Sequence, residues 1–318
     1  MSIVNRASGI VTSMVVCLVA LSLASGCAAD RKSAFKDGDQ GKQTKVQGDF
    51  LQTLEKAESH WQNRKDRKEL EKAISLWEKA VNMDAAGLSE QEKTDKKAEA
   101  YERLARAYYF LADSHIRLEG DDESANEEKM MNTFEKGVTA AENAIKLRDP
   151  DFAKKVAQGD AWMNHVKKAD EAAIPGLYWY ATNLGKWALL EGIATILARK
   201  DDIKATMEFI CEKDEDFYYG ACHRYFAVYW TKVPFSKDAA KAKKHFDKTL
   251  EIAPNYLATK VLMAENYAVL TEDKELYNKL VKEIMATPDD AVPAISAENH
   301  YEKMKAERLE KTVDDRFK

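Results

Sequence analysis

The chain has 318 residues, enough for one large domain or two small ones. Its 13 glycines and 6 prolines are few, and this scarcity favours helices over a sheet-based fold. The 49 basic and 54 acidic residues give a net charge of −5 with no clustered basic excess, which argues against nucleic acid as a partner.

The first 26 residues have the pattern of a secretory signal. Arg6 precedes an apolar run at residues 10–24, which ends in Leu23-Ala24-Ser25-Gly26-Cys27. A short apolar core that follows a positive residue and closes on small side chains is typical of a cleaved signal. The small residues before Cys27 resemble a bacterial lipoprotein signal, in which this cysteine carries the lipid. An uncleaved anchor, or an ordinary signal that contains Cys27, is the alternative.

The rest of the N-terminal region predicts a lipid anchor followed by a linker. In lipoprotein sorting signals, an aspartate directly after the cysteine favours retention at the inner membrane. Ala28 holds that position here, so the resemblance favours the outer membrane. Residues 27–47 are mostly polar and read as a flexible tether. We therefore divide the chain into a signal peptide (1–26), a tether (27–47) and a helical domain (48–318).

From residue 48 onward, apolar residues recur at helical spacing in pairs of segments. Residues 48–83 predict a first hairpin, and residues 90–118 and 127–147 predict a longer pair. Residues 152–173 predict one amphipathic helix. Further hairpins are expected across residues 174–255 and 255–286, with Gly185 at a tight helix crossing and a capping helix from Pro293 to about Thr312.

Two of these hairpins share a register that is typical of tetratricopeptide (TPR) repeats. Trp61 is followed after 12 positions by Ala73 and after 4 more by an aromatic residue, and Trp230 begins the same pattern. Such offsets place a small residue where two antiparallel helices cross and a ring in the gap. The predicted fold class is therefore all-α, with irregular TPR-like helical hairpin repeats that form an α-solenoid.

The middle of the chain is rich in aromatic residues, and it supplies the candidate binding residues. The predicted helix register places Trp179, Thr182, Lys186 and Arg224 on the concave side of the array, and Tyr219 and His223 lie close by in the sequence. Such a surface could bind an apolar or amphipathic ligand, with Lys186 and Arg224 near its carboxylate. Plain packing of long helices is the alternative for most of these rings.

Catalysis is not expected from the sequence. The six histidines are scattered singly without zinc spacing, and there is no nucleophile elbow, P-loop or dinucleotide-binding glycine pattern. We expect no cofactor and no metal. Cys211 and Cys222, eleven positions apart, are candidates for a disulfide, with two separate buried thiols as the alternative.

Several segments taken together resemble one family. They are YWYATNLGKWALLEG, YYGACHRYFAVYW, AAKAKKHFDKTLEIAPNYLATKVLMAENYAV and AENHYEKMKAERLEKTVDDRF. Their order resembles the T-component lipoproteins of tripartite ATP-independent periplasmic (TRAP) transporters, across about residues 50–317. The family often has Gly-Gly-Pro where this chain has Gly220-Ala221-Cys222. This departure leaves the loop before His223 and Arg224 undefined.

The resemblance implies a function as well as a fold. It implies a lipid-anchored protein that faces the periplasm, forms a homotrimer and docks the transporter's periplasmic solute-binding protein. It also implies that each protomer holds or channels a hydrophobic or organic-acid ligand. The alternative is a TPR lipoprotein that acts as a scaffold for cell-envelope assembly and binds no ligand.

Overall fold

The structure, a computed structural model, describes residues 31–36 and 48–317. The signal peptide, Cys27 and most of the expected tether lie outside these ranges. Within them the chain is helical and no strand occurs, as the composition predicts. None of the described helices combines the length and apolar character needed to cross a bilayer. The α-helices are α1 (Phe50–Gln62), α2 (Arg67–Val81), α3 (Glu90–Phe110), α4 (Glu127–Arg148), α5 (Pro150–Ala157), α6 (Trp162–Val166), α7 (Ile174–Glu191), α8 (Ile193–Lys213), α9 (Phe217–Lys232), α10 (Ala239–Ile252), α11 (Leu257–Leu262), α12 (Lys274–Ala286), α13 (Ser296–Lys311) and α14 (Val313–Arg316).

The first hairpin shows how the predicted register is used. The N-terminal ends of α1 and α2 are capped by the side chains of Asp49 and Asp66. Trp61 and Trp77 are buried, with ring centroids 5.8 Å apart, and Ala73 is fully buried. The small residue lets the helices approach, and the two indoles fill the space beside it. The solenoid of helical hairpins predicted from spacing is confirmed.

The close approach of α4 and α7 depends on a glycine that the sequence pattern did not single out. A Cβ atom at Gly137 would lie 2.2 Å from the side-chain oxygen of Asn183, so only glycine fits there. Gly185, which we expected at a tight crossing, has no such constraint, because a Cβ there would make an ordinary 3.9 Å contact with Ile203. The expectation for Gly185 was wrong, and the tight crossing lies two residues earlier on α7, at Asn183.

Two helices change their winding in the middle of the fold. The helix α3 continues as a π-helix at Leu111–Ile116, and α11 continues as a π-helix at Met263–Ala268. A π-helical turn shifts the side chains that follow it relative to an α-helix, and such turns are frequent at functional sites. Both segments contribute a carboxylate to the site described below.

The six described residues of the expected tether do not behave as a free linker. Arg31 forms a two-point salt bridge with Glu142 of α4, with nitrogen–oxygen distances of 2.6 and 3.1 Å. Ser33 and the Ala34 amide bind the same carboxylate, and Phe35 is buried with its ring centroid 5.9 Å from that of Trp162. The prediction of a flexible tether was therefore wrong for residues 31–36. Their polar composition concealed one aromatic residue and one cation that find buried partners more than 100 positions away.

The segment at residues 152–173 also differs from the prediction of one helix. It contains the short helices α5 and α6, separated by a turn in which Gly159 has a φ of +92°. That backbone conformation is left-handed and favours glycine, so the helix ends there.

Candidate ligand-binding cavity

A cavity of about 210 Å³ lies among α3, α7, α8, α9, α11 and α13. Much of its wall is aromatic. Tyr109 and Trp179 contact each other with ring centroids 5.7 Å apart, and Trp179 contacts Tyr218 at 5.1 Å. Tyr218 also contacts Tyr178 and Tyr256, with ring centroids 5.3 and 6.0 Å apart. The central aromatic residues therefore surround a space rather than only filling a core.

The cavity wall carries an excess of positive charge. Its described lining includes seven basic and four acidic side chains, although the whole chain has a net charge of −5. The two π-helical segments each supply one of the acids, Asp113 and Glu265. A cation-rich wall around an apolar space favours an anionic ligand with an apolar body.

Asp113 is the centre of a closed network of charges. Its two carboxylate oxygens accept hydrogen bonds from Lys186 at 2.5 Å and from Lys305 at 2.6 Å, and Lys305 also donates to Glu302 at 2.7 Å. Burial alone would raise the pKa of Asp113, but the two ammonium groups outweigh burial and hold this pKa well below its ordinary value. Burial raises the pKa of Glu302, and the charge of Asp113 adds to that rise. Asp113 is therefore a fixed anion that neutralises Lys186.

Two further acids of the wall also have cationic partners. Glu265 accepts a hydrogen bond from Arg117 at 2.9 Å, and Glu298 accepts one from Arg106 at 2.8 Å. Glu298 additionally binds Arg64 of the first hairpin. These pairs fix the positions of the arginines and leave no acid of the wall without a described cationic partner.

Arg224 is different, because it is a buried cation without a carboxylate partner among the described residues. It is only 7% exposed. Its guanidinium donates to the backbone carbonyls of Tyr218 and Tyr219 and to the Tyr178 hydroxyl oxygen, at 3.2, 2.9 and 3.3 Å. It also lies 4.3 Å from the ring centroid of Tyr256. These contacts orient the charge without neutralising it.

The turn that holds Arg224 is strained. Tyr218, Tyr219 and Gly220 have φ values of 43°, 63° and 70°, so three successive residues are left-handed. For the two tyrosines this conformation costs free energy, of order 1 kcal/mol or more each. It directs the carbonyls of both tyrosines toward Arg224. This is the loop that the sequence left undefined, and it retains a turn without the family's proline.

Tyr218 also separates this cavity from a second one. The second cavity is lined by Tyr218, Tyr219, Ile252 and neighbouring residues, and it shares with the first only Tyr218 and Arg106. The guanidinium carbon of Arg106 lies 5.2 Å from the Tyr218 ring centroid. These two side chains therefore form a thin partition between the two spaces.

Two buried polar atoms of the lining residues have no hydrogen-bond partner within the described part of the chain. They are the Thr182 hydroxyl oxygen and the Nε atom of Arg106. Buried polar atoms are nearly always satisfied in folded proteins, because each unsatisfied one costs about 1–3 kcal/mol. Both could be satisfied by a polar group of a bound molecule.

The structure separates the candidate residues into three groups. Trp179, Thr182, Lys186 and Arg224 all line the main cavity, although Lys186 is bound to Asp113. Tyr219 lines the second cavity. His223 faces neither cavity and contacts His245 instead. Cys211 and Cys222 form a disulfide with a Cα–Cα distance of 5.5 Å, which joins α8 to the start of α9.

Sequence reasoning missed the charged residues that complete the cavity. Asp113, Glu265 and Lys305 lie on three separate helices and belong to no local motif. In the sequence, each of these charged residues could equally belong to the solvent-exposed face of its helix. The one local signal was that Asp113 follows a run of apolar residues from Ala107 to Ala112, where a surface charge would be unusual.

Comparison with known proteins gives one family. A model described as TAtT, TRAP transporter T-component, matches residues 104–317, about two thirds of the chain. The matched region begins within α3 and includes every residue that lines the cavity. No curated protein matches the sequence.

Proposed function

The chain belongs to the TRAP transporter T-component family, and from that premise we propose that its cavity binds an organic anion with an apolar body for the transporter. An accessory role in a TRAP transporter follows from the family. The ligand, the docking surface and the lipid anchor described below are our proposal. The periplasmic solute-binding protein as partner and the homotrimer are also part of our proposal.

The observation that carries the proposal is Arg224. A buried guanidinium without a counter-ion costs free energy, and the carboxylate of a bound ligand would offset that cost. A ligand carboxylate beside Arg224 would gain charge-assisted hydrogen bonds and would be enclosed by Tyr178, Tyr218 and Tyr256. The Thr182 hydroxyl and the Nε atom of Arg106 supply further polar contacts.

The remaining wall selects the body of the ligand. Aliphatic side chains from α8, including Ile196, Ile203 and Met207, complete the space around the aromatic rings. This part of the wall suits an apolar group better than a sugar ring, because hydroxyl groups placed against it would lose water without gaining hydrogen-bond partners there. Short fatty acids and aromatic or branched-chain carboxylates fit this description.

We place the opening of the cavity, and with it the docking surface for the solute-binding protein, where exposed apolar residues adjoin the cavity lining. Leu189, Ile193, Leu197 and Phe235 are exposed, and Phe235 is 99% exposed in a left-handed backbone conformation. Leu189 itself lines the cavity, as does Val233, two residues before Phe235. Passing a ligand between two proteins requires their openings to face each other, so an apolar rim around this opening suits the partner.

The docked N-terminal segment limits how far the proposed lipid anchor can lie from the helical domain. Arg31 is held on Glu142, and only residues 28–30 separate it from Cys27. A chain of this length spans at most about 14 Å. A lipid on Cys27 would therefore keep the region of α4 around Glu142 close to the membrane surface, instead of at the end of a 20-residue tether.

Titration of the purified protein with octanoate and with octanol tests the ligand. The change in fluorescence of Trp179 reports occupancy, with Trp179→Phe identifying its signal. We expect saturable binding of octanoate and at least tenfold weaker binding of octanol, because only the acid pairs with Arg224. Equal affinity for both would contradict the anion site.

Affinity purification from periplasmic extract tests the partner, with native mass measured in parallel. Recovery of a solute-binding protein by a trimeric bait supports the proposal. Recovery of envelope-assembly factors, together with no octanoate binding, would favour the scaffold alternative.

A further inference from the structure

A pair of histidines lies outside the cavity, where α9 and α10 pack together. The Nδ1 atoms of His223 and His245 are 2.9 Å apart, and Nε2 of His223 lies 2.8 Å from a carboxylate oxygen of Glu215. We propose that His223 and His245 together bind one divalent transition-metal ion of the zinc and copper class, with Glu215 orienting His223. This site goes beyond the proposed function, since none of the three residues lines the main cavity.

The distance between the two nitrogens is the first argument. Imidazole nitrogens bind zinc at about 2.0–2.1 Å, so two ligands of one ion lie about 2.9 Å apart at a right angle and about 3.3 Å apart at a tetrahedral angle. The observed separation of 2.9 Å lies within this range. One ion can therefore contact both nitrogens after ring movements of a few tenths of an ångström.

The hydrogen bonds determine where the protons lie. Glu215 accepts from Nε2–H of His223, so Nδ1 of neutral His223 carries a lone pair and accepts from Nδ1–H of His245. For a metal ion to take the place of that shared proton, the proton moves from Nδ1 to Nε2 of His245 through solvent, and His245 then binds the ion through Nδ1. Both imidazoles remain neutral, and no net proton is lost. A carboxylate that holds the outer nitrogen of a metal-binding histidine is the usual second partner of such ligands.

The surroundings hold the pair in place. The Cys211–Cys222 disulfide fixes the start of α9 against α8, and the two sulfurs lie within 4.8 Å of a ring nitrogen of His223. Because both sulfurs are used in the disulfide, the ligands from the chain are the two imidazoles, and water completes the coordination. Lys248 lies 3.7 Å from the other oxygen of Glu215 and places a positive charge beside that carboxylate.

The other four histidines provide the comparison. His60, His165 and His300 each contact a carboxylate, at 2.5, 3.0 and 3.0 Å, but have no second imidazole within hydrogen-bond distance in the described structure. His115 contacts a backbone carbonyl and the hydroxyl of Tyr301. A carboxylate partner alone is thus common in this protein, and the second imidazole is what distinguishes His223.

Isothermal titration of chelator-treated protein with zinc chloride tests the site. We expect one zinc ion per chain, loss of saturable binding in His245→Ala, and about tenfold weaker binding in Glu215→Gln. His60→Ala, which removes a histidine with a carboxylate partner, should bind like the wild type. Absence of saturable binding in the wild type, or unchanged binding in His245→Ala, would overturn the proposal.

A second measurement on the wild type covers the case in which a variant does not fold. Zinc should shift the imidazole ¹⁵N resonances of His223 and His245 and leave those of His60, His165 and His300 unchanged. Shifts spread equally over all the surface histidines would also reject the site. Neither measurement involves octanoate, so the outcome is independent of the proposed ligand cavity.

Discussion

The ammonium group of Lys186 lies 2.5 Å from a carboxylate oxygen of Asp113, and the other oxygen of that carboxylate is held by Lys305 at 2.6 Å. Asp113 therefore binds both lysines from within the protein, and Lys305 has Glu302 as a second carboxyl partner. Arg224 lines the same cavity without a described carboxylate partner. The cavity thus has a closed charge network in one part and an unneutralised cation in another, and the two parts should respond differently to substitution.

Replacement of Arg224 by methionine should weaken binding of octanoate by about tenfold or more. A hydrogen bond between charged groups contributes about 1.5–3 kcal/mol, and this variant removes the cation while keeping a side chain of similar length. Fluorescence titration with octanoate and octanol measures the effect. Octanol affinity should stay nearly unchanged, and a parallel loss for both compounds would indicate a general disruption of the cavity.

Replacement of Lys186 by methionine should mainly reduce stability. It leaves Asp113 buried with one fewer cation, and we expect the free energy of unfolding to fall by roughly 2 kcal/mol. Urea denaturation measures this change. If Lys186→Met weakens octanoate binding as strongly as Arg224→Met does, then Lys186 leaves Asp113 to bind the ligand, and the assignment of the anion site to Arg224 is wrong.

Replacement of Thr182 by valine should separate ligand binding from folding. The hydroxyl oxygen is buried without a partner, so its removal costs the unliganded protein little and could even stabilise it. Octanoate affinity should fall several-fold if the hydroxyl contacts the carboxylate. Thr53→Val is the matched control, because the Thr53 hydroxyl donates to the Asp49 carbonyl far from the cavity lining. A stability loss in Thr182→Val larger than in Thr53→Val would contradict this account.

The apolar rim of the cavity should respond to a single charge. Ile193 is 60% exposed, and Ile193→Glu should weaken binding of the solute-binding protein without changing the melting temperature by more than a few degrees. Leu51→Glu is the control, since Leu51 is 48% exposed on α1, which does not line the cavity. Surface plasmon resonance with both variants gives the comparison, and an equal effect of the two would place the docking surface elsewhere.

Removal of Arg31 should destabilise the whole protein although it lies ahead of the helical domain. The side chains of Arg31 and Glu142 are 4% and 1% exposed, and leaving one buried charge alone costs about 3–5 kcal/mol. Urea denaturation of Arg31→Ala measures the loss, and Glu142→Ala added to it should restore part of the stability. Arg67→Ala, which removes an exposed pair with Glu71, should change stability by less than about 1 kcal/mol. A loss in Arg31→Ala no larger than this would show that the N-terminal segment is not docked.

His115 should make stability depend on pH. Burial lowers the pKa of His115 below its ordinary value of about 6.5, although its hydrogen bond to the Arg64 carbonyl opposes that shift. As the pH falls through about 6.5, His115 becomes protonated in the unfolded chain but stays neutral in the folded chain. The free energy of unfolding therefore decreases as the pH decreases from 7.5 to 5.5. Urea denaturation across this range should give a smaller slope for His115→Gln. Burial also lowers the pKa of His245 to about 4. His245 therefore also makes stability fall at lower pH, and it does so in both the wild type and His115→Gln.

The helical hairpins could be predicted because their signal is local. Trp61, Ala73 and Trp77 occupy fixed offsets within 17 residues, and the structure buries all three. The candidates Trp179 and Arg224 were found by the same helical register, and both line the cavity. Tyr219 and His223 lie outside the lining of the main cavity, and three left-handed residues interrupt the helical register at the start of α9.

The tertiary structure decided which charges are buried and which partners they have. Asp113 and Lys305 are 192 positions apart, and Arg31 and Glu142 are 111 positions apart, so no local pattern relates them. The sequence alone determined where helices form, because helix formation depends on residues three or four positions apart. Whether a charge is neutralised depends instead on the packing of distant helices, which sets both its burial and its neighbours.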